Sequence, residues 1–528
     1  MRWWLACGLV LSALCAAVHA ARPPEWVVPH LAAAAAASKR SAVMLHDYED
    51  VRYLSEERVR RTVRGAIRVT SAQGRDRAIC AYTLNPDVEK IVSAQAWIID
   101  PMGKRAESFP TSAFADTPSQ FGSHFWLQQR TVSFAGGARV EVGGVLAWEF
   151  QVESLVGVWD VGWSFEGSLP ILSSVFEVTP MPGGRIEHHA TGARVPAPVP
   201  GKAPGGLRWE LLTTPSEDAD RPDGFQPLVA RVSARAVKGE GKAALGTWAD
   251  FARFSAGILE GQQTMTEEVK ARAEALVAGK TGRWERIRAI GEFLQRDVAY
   301  LSVSLGKDYL AGYRPHVPGD VLKNRYGDCK DKVTLMIVLL RAVGETAYPV
   351  LVSSGEPTDV RKEWPSAVFN HVIVGLPADA DVPGHWPVSD APGIGRLVMF
   401  DPTDRFTPLG LLSSGDQAGH GLVAHAKSEG LTPMPTATPE VNGYTATLVA
   451  TLDAKGDLHV KAEEKMRGVR GVERQARREQ QNAEQAKSAL ETRLRDEGLI
   501  AQKVLATEEW SDERGEHRLN LEFAALRY

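Results

Sequence analysis

The sequence predicts a chain of several domains. A sandwich-like all-β domain comes first, an α+β core follows, and a C-terminal β segment with a long helix closes the chain. Three observations lead there. Apolar and polar residues alternate through much of residues 44–184, in RTVRGAIRVT, EKIVSAQAWIID and RVEVGGVLAWEFQVESL, which is the period of half-buried strands. At Thr247 the period becomes helical, with Trp248, Phe251, Phe254 and Ile258 on one face. A Pro-rich break, LTPMPTATPEVNG, then separates the core from a final hairpin-and-helix region. The length of 528 residues suits two to four such domains.

The N-terminus, MRWWLACGLVLSALCAAVHAARPP, has a positive Arg2, a short apolar run from Trp3 to Val18, and small residues around Ala20. This is the pattern of a cleaved secretory signal over residues 1–20. It implies a periplasmic or secreted protein with no membrane span after cleavage. An uncleaved anchor is the alternative reading. A lipoprotein is disfavoured because Leu14 stands where a small residue should precede Cys15.

Residues 21–236 form the β-domain, with the alanine tract Ala32 to Ala37 as a short helix near its start. Strands continue through GGRIEHHATG and LRWELLTT, with ARVPAPVPGKAPGG and TTPSEDADRPDG as loops around the last of them. The core occupies residues 240–430. It begins at a helix capped by Thr247, repeats the pattern at Ile287, Ile290, Phe293 and Leu294, and then runs through the strands YPVLVSS, FNHVIVGL and RLVMFDPT. Residues 431–528 open with a hairpin turning at Ala454-Lys455-Gly456-Asp457, continue in a charged helix over 472–497, and end in the alternating strand HRLNLEFAALRY.

Net charge is −4, and no basic stretch interleaved with aromatics occurs, so nothing points to nucleic acid. Of the four cysteines, Cys7 and Cys15 leave with the signal, and Cys80 and Cys329 remain. Two cysteines do not make a disulfide framework. They form either one bridge or two separate thiols.

Cys329 sits in the charged cluster GDCKDK, at the head of the apolar run VTLMIVLLRAV, which Gly344 stops. Asp328 is the predicted N-cap. That puts Cys329 in the first helical turn, where unpaired N–H groups, the helix dipole, Lys330 and Lys332 favour an anion, with Asp328 and Asp331 offsetting part of the charge. Thiolate is the reactive form of cysteine, and this environment lowers a thiol pKa. His371 opens the strand of FNHVIVGL, and Asp401 ends the strand of VMFDPT. Either alone is an ordinary strand-end residue. Together with Cys329 they supply a thiol, a base and a carboxylate to orient the base.

The order Cys, His, Asp, with the cysteine on a helix and the others on strands, resembles the transglutaminase-like superfamily of papain-like thiol enzymes. The segment YLSVSLGKDYLAGYRPHVPGDVLKNRYGDCKDKVTLMIVLLRAVG is similar to a secreted bacterial branch of it, in which the core follows an N-terminal β-domain of unassigned function. The resemblance implies a papain-like core with Cys329 as nucleophile, His371 as base and Asp401 as its orienting partner. It leaves the oxyanion hole open. The Cys329 N–H is one donor. Animal transglutaminases add an upstream tryptophan, where this chain has Tyr300, which either donates its hydroxyl or packs as a strand residue. His316, in RPHVP, either lines the cleft or is a plain loop histidine.

Other motifs are weak. Glu187-His188-His189 alternates across a strand and makes a poor chelate. HExxH, CxxC, a Walker A loop and an EF-hand are missing, so no cofactor and no metal is expected. The resulting expectation is a thiol acyl-transfer enzyme acting on peptide or isopeptide amides, with cell-wall peptides among the substrates. It is a peptidase or amidase if water accepts the acyl group, and a transglutaminase if an amine does. The competing reading is a non-catalytic periplasmic binding or assembly scaffold built on the same core.

Overall fold

The computed structural model describes residues 19–32, 40–118, 125–127, 129–156, 160–214, 230–239, 245–304, 312–355, 360–379, 381–384, 386–498, 502–512 and 515–525. The apolar part of the signal, through Val18, and the alanine tract from Ala33 onward lie outside them. The chain divides into two compact units. The first is built mainly from residues 1–244 and the second mainly from residues 245–528.

The first unit is β-rich with several sheets. Ala42–Tyr53 and Arg58–Val69 pair antiparallel and lie inside a nine-stranded sheet. Arg58–Val69 also pairs with Val145–Leu155, and Ile171–Thr179 runs parallel to Ala42–Tyr53. Strand alternation explains the burial. Along Val145–Leu155, Leu146, Trp148, Phe150 and Val152 enter one apolar core, while Val145 and Ala147 enter another. Two three-stranded sheets complete the unit. Cys80 is buried in it as a free thiol.

In the second unit, helices pack on a six-stranded sheet. Trp248–Glu260 starts at Thr247, which forms a capping box with Asp250. Glu267–Val277 follows from the N-cap Thr266. The sequence reading passed over it, because Val269 and Ala273 are its only buried residues and so small an apolar face leaves little periodic signal. Arg283–Asp297 buries Ile287, Ile290, Phe293 and Leu294. The Cys329–Ala342 helix is central, with every residue from Lys330 to Leu340 buried. Gly344 closes it with φ +79°, a conformation that glycine adopts without cost.

The sheet beside it is antiparallel, with strand order 388–391, 395–400, 371–377, 348–352, 420–423 and 431–433. Val372, Val374, Leu376, Val398 and Phe400 pack on the helix side. Ile373, Leu397 and Met399 join Val350 and Val352 in a second core. Burial on both faces is why these strands read as continuous apolar runs.

The C-terminal region carries a four-stranded antiparallel sheet. The single charged helix expected over 472–497 is two helices, Val469–Glu479 and Ala483–Asp496. Asn482 breaks it, because its side chain accepts from Gln485 N at 2.9 Å and starts a new capped helix. Strand Gln502–Ser511, also missed, pairs with His517–Ala525. Among the described residues, no helix is long and apolar enough to cross a membrane.

Candidate active site

The polar cluster before the central helix is a helix cap. Asp328 accepts from Asp331 N at 3.3 Å, and Asp331 Oδ2 accepts from Asp328 N at 3.1 Å. Asp331 also accepts from His316 N at 2.7 Å and lies 3.0 Å from His316 Nδ1. That hydrogen bond raises the His316 pKa. His316 is thus a half-exposed loop histidine that ties its loop to the helix start. Gly327 must be glycine on steric grounds, since a Cβ there would lie 2.6 Å from Asp331 Cβ. Cys329 sits partly exposed in the first turn as a free thiol.

Here the structure refines the sequence reading. Lys330 and Lys332 are both buried, and of the two it is Lys330 whose charge interacts with the Cys329 sulfur. Lys330 Nζ is paired with Asp328 Oδ2. Lys332, 1% exposed, donates from Nζ to Val298 O at 3.0 Å. Burial pulls its pKa down to about 8, against the pull of Asp401 and Asp404.

That contact anchors the strand that delivers Tyr300. Ala299–Tyr300 pairs parallel with Tyr326–Gly327, Tyr300 opposite Gly327. Ala299 N donates to Arg325 O at 2.8 Å and Leu301 N to Gly327 O at 3.1 Å. The Tyr300 hydroxyl is thereby set beside the Cys329 thiol. Burial raises its pKa most, and the charge and hydrogen bond of Cys329 add to that.

His371 opens strand His371–Pro377. Asp401 follows the adjacent strand Gly395–Phe400, which is registered with Val374 opposite Phe400. His371 Nε2 lies 3.0 Å from Asp401 Oδ2. The other carboxylate oxygen accepts from Thr403 N at 2.8 Å. Gln295 Nε2 donates to Asp404 O at 2.6 Å and Thr407 O at 2.8 Å, so the loop after Asp401 is held by a core helix. Burial lowers the His371 pKa, but the Asp401 charge and hydrogen bond and the Cys329 sulfur outweigh it and raise it well above the usual value. Burial pushes the Asp401 carboxyl up, while His371 and Thr403 more than offset it and hold it low. Cys329, His371 and Asp401 therefore do meet. Asp416, which sequence reasoning missed, joins them: its ligand atom and those of His371 and Asp401 lie within 4.8 Å of one another.

Residues 270–381 match the family model described as the transglutaminase-like superfamily. The chain carries a transglutaminase-like domain. The match spans Cys329 and His371 and stops before Asp401, so Asp401 is placed by geometry alone. A structure from Parabacteroides distasonis, that of a suspected protease, shares the fold of this chain. It has a TM-score of 0.56 and 11% identity, with 92% of this chain and 94% of that one covered. An M1 zinc metallopeptidase from Deinococcus radiodurans aligns over 51% of this chain and 58% of its own with 11% identity, but at a TM-score of 0.19 the likeness carries no argument. No curated protein matches the chain by sequence.

Proposed function

We propose that the chain is a secreted thiol acyl-transfer enzyme of the peptidase or amidase kind, acting on peptide or isopeptide amides, with cell-wall peptides among the candidate substrates. The observation that carries the reading is the set of contacts joining Cys329, His371 and Asp401 at the head of a buried helix. The fold shared with a suspected protease supports it.

Asp401 is an acceptor at Oδ2, so His371 carries a proton on Nε2, and its Nδ1 is left for the sulfur side. A raised His371 pKa favours imidazolium beside thiolate. The thiolate of Cys329 attacks the amide carbonyl carbon, and the carbonyl becomes an oxyanion. The N–H groups of the first helical turn and the Tyr300 hydroxyl are the donors available to it. His371 then gives its Nδ1 proton to the departing amine, the C–N bond breaks, and a thioester remains on Cys329. In the second half, His371 takes a proton from water, the hydroxide attacks the thioester, and the C–S bond breaks. Acid and thiolate are released, and the imidazolium is restored. An amine in place of water would give transamidation by the same steps.

The test is covalent trapping of the full chain by a thiol-directed peptide electrophile. Labelling at Cys329 that is lost in Cys329→Ala and strongly slowed in His371→Ala supports the enzyme. Labelling that is insensitive to His371 contradicts it and favours a binding scaffold.

A further inference from the structure

Asp416 is not needed for the acyl-transfer scheme, yet it is placed against it. It ends a short turn at residues 414–416 and is only 4% exposed. Its Oδ2 accepts from Ser413 Oγ at 2.8 Å. Its Oδ1 is buried and makes no hydrogen bond of ordinary geometry, the Ser354 hydroxyl being the other donor near the carboxyl. A buried carboxylate oxygen in that condition calls for a proton or a cation.

Its surroundings favour a metal ion. His371, Asp401 and Asp416 each offer one ligand atom, all within 4.8 Å of one another. His371 Nε2 and Asp401 Oδ2 are already 3.0 Å apart. Bonds of 2.0–2.2 Å to a tetrahedral zinc ion place ligand atoms about 3.4 Å apart, so with every separation within 4.8 Å the third ligand has at most about 1.4 Å to travel. One imidazole and two carboxylates suit zinc-like divalent ions better than calcium or magnesium, which prefer all-oxygen shells. Two carboxylates also neutralise a 2+ ion in a buried site, and three protein ligands leave a fourth position for water.

We propose that His371, Asp401 and Asp416 form a divalent transition-metal site that holds the thiol centre in an inactive state. The inference rests on the reading of His371 as the base. The metal takes the Nε2 lone pair and releases the Nε2 proton to solvent. The neutral metal-bound ring keeps its proton on Nδ1 but is a far weaker acid there than the imidazolium, so it no longer delivers that proton to the departing amine. The ion enters beside His371, whose side chain is 14% exposed. Zinc, by this account, is an inhibitor of the proposed enzyme and not its cofactor.

The experiment is calorimetric titration of ZnCl2 into the untagged full chain carrying Cys329→Ala. That variant removes both the thiol's own affinity for zinc and any dependence on catalysis. One equivalent should bind, at least tenfold more weakly when Asp416→Asn is added. Zinc should also raise the melting temperature of Cys329→Ala but not that of the double variant, with both melting alike in chelator. Failure to bind one equivalent, or equal affinity in the two proteins, overturns the site. Either failure leaves the acyl-transfer reading to its own trapping test.

Discussion

His371 Nε2 and Asp401 Oδ2 stand 3.0 Å apart across two neighbouring strand ends, with Asp401 only 3% exposed. The strand pairing that sets Val374 opposite Phe400 brings them together. The pair fixes the histidine tautomer and keeps the ring charged. Replacing Asp401 by Asn should leave the fold intact and lower acyl transfer by on the order of 10²–10⁴-fold, through loss of orientation and of imidazolium stabilisation. Single-turnover acylation of the purified variant measures this. Acylation within a few-fold of the parent would sink the assigned role.

The same pair sets a window of pH-dependent stability. His371 is raised when folded, so its contribution is complete below the unfolded value of about 6.5 and fades as pH climbs toward the folded pKa. Asp401 is lowered when folded, so its contribution is present above about 3.9 and is lost as pH falls through the folded value. The stability lost in Asp401→Asn should therefore be greatest between about pH 4 and 6.5. Breaking a buried pair costs about 3–5 kcal/mol. Urea melts from pH 3 to 9 check it, and a loss independent of pH would contradict it.

Lys332 should leave the opposite signature. Its folded pKa of about 8 lies below the usual 10.5, so folding releases its proton between those values. Stability of the parent should then rise, relative to Lys332→Met, as pH goes from about 8 to 10.5. The gain should approach ~3 kcal/mol, since each pKa unit is worth 1.36 kcal/mol. The variant also loses the bond to Val298 O, which anchors the strand carrying Tyr300. A parallel pH dependence in the two proteins would show that the ammonium is solvated.

Tyr300→Phe separates the two readings of that residue. As an oxyanion donor, the hydroxyl is worth about 10²–10³-fold in the acylation rate. The melting temperature should shift little, because the ring still packs. An unchanged rate would make Tyr300 a packing residue.

The site was legible where chemistry and periodicity coincide. Cys329 stood out because a thiol lay among charges at the mouth of an apolar helix, and His371 and Asp401 because one opens and the other follows an apolar strand. Lys332 was read only as positive potential beside the cap, because its burial comes from tertiary packing that leaves no local signal. Asp416 had no signal, since a Ser-Gly-Asp turn looks like any loop and its neighbours come from distant strands. In the C-terminal region, overall charge suggested one continuous helix, while the local cap at Asn482 divides it.

The most direct test of the central claim is the rate of Cys329 alkylation by iodoacetamide as a function of pH. It uses Cys80→Ser as the parent, so that one thiol reports, and compares His371→Ala and Asp401→Asn made in it. The account predicts rapid alkylation well below the ordinary thiol pKa of ~8.5, with that advantage abolished by His371→Ala and reduced by Asp401→Asn. A parent that reacts as an ordinary thiol, rising only near pH 8.5 and unaffected by either substitution, would contradict it.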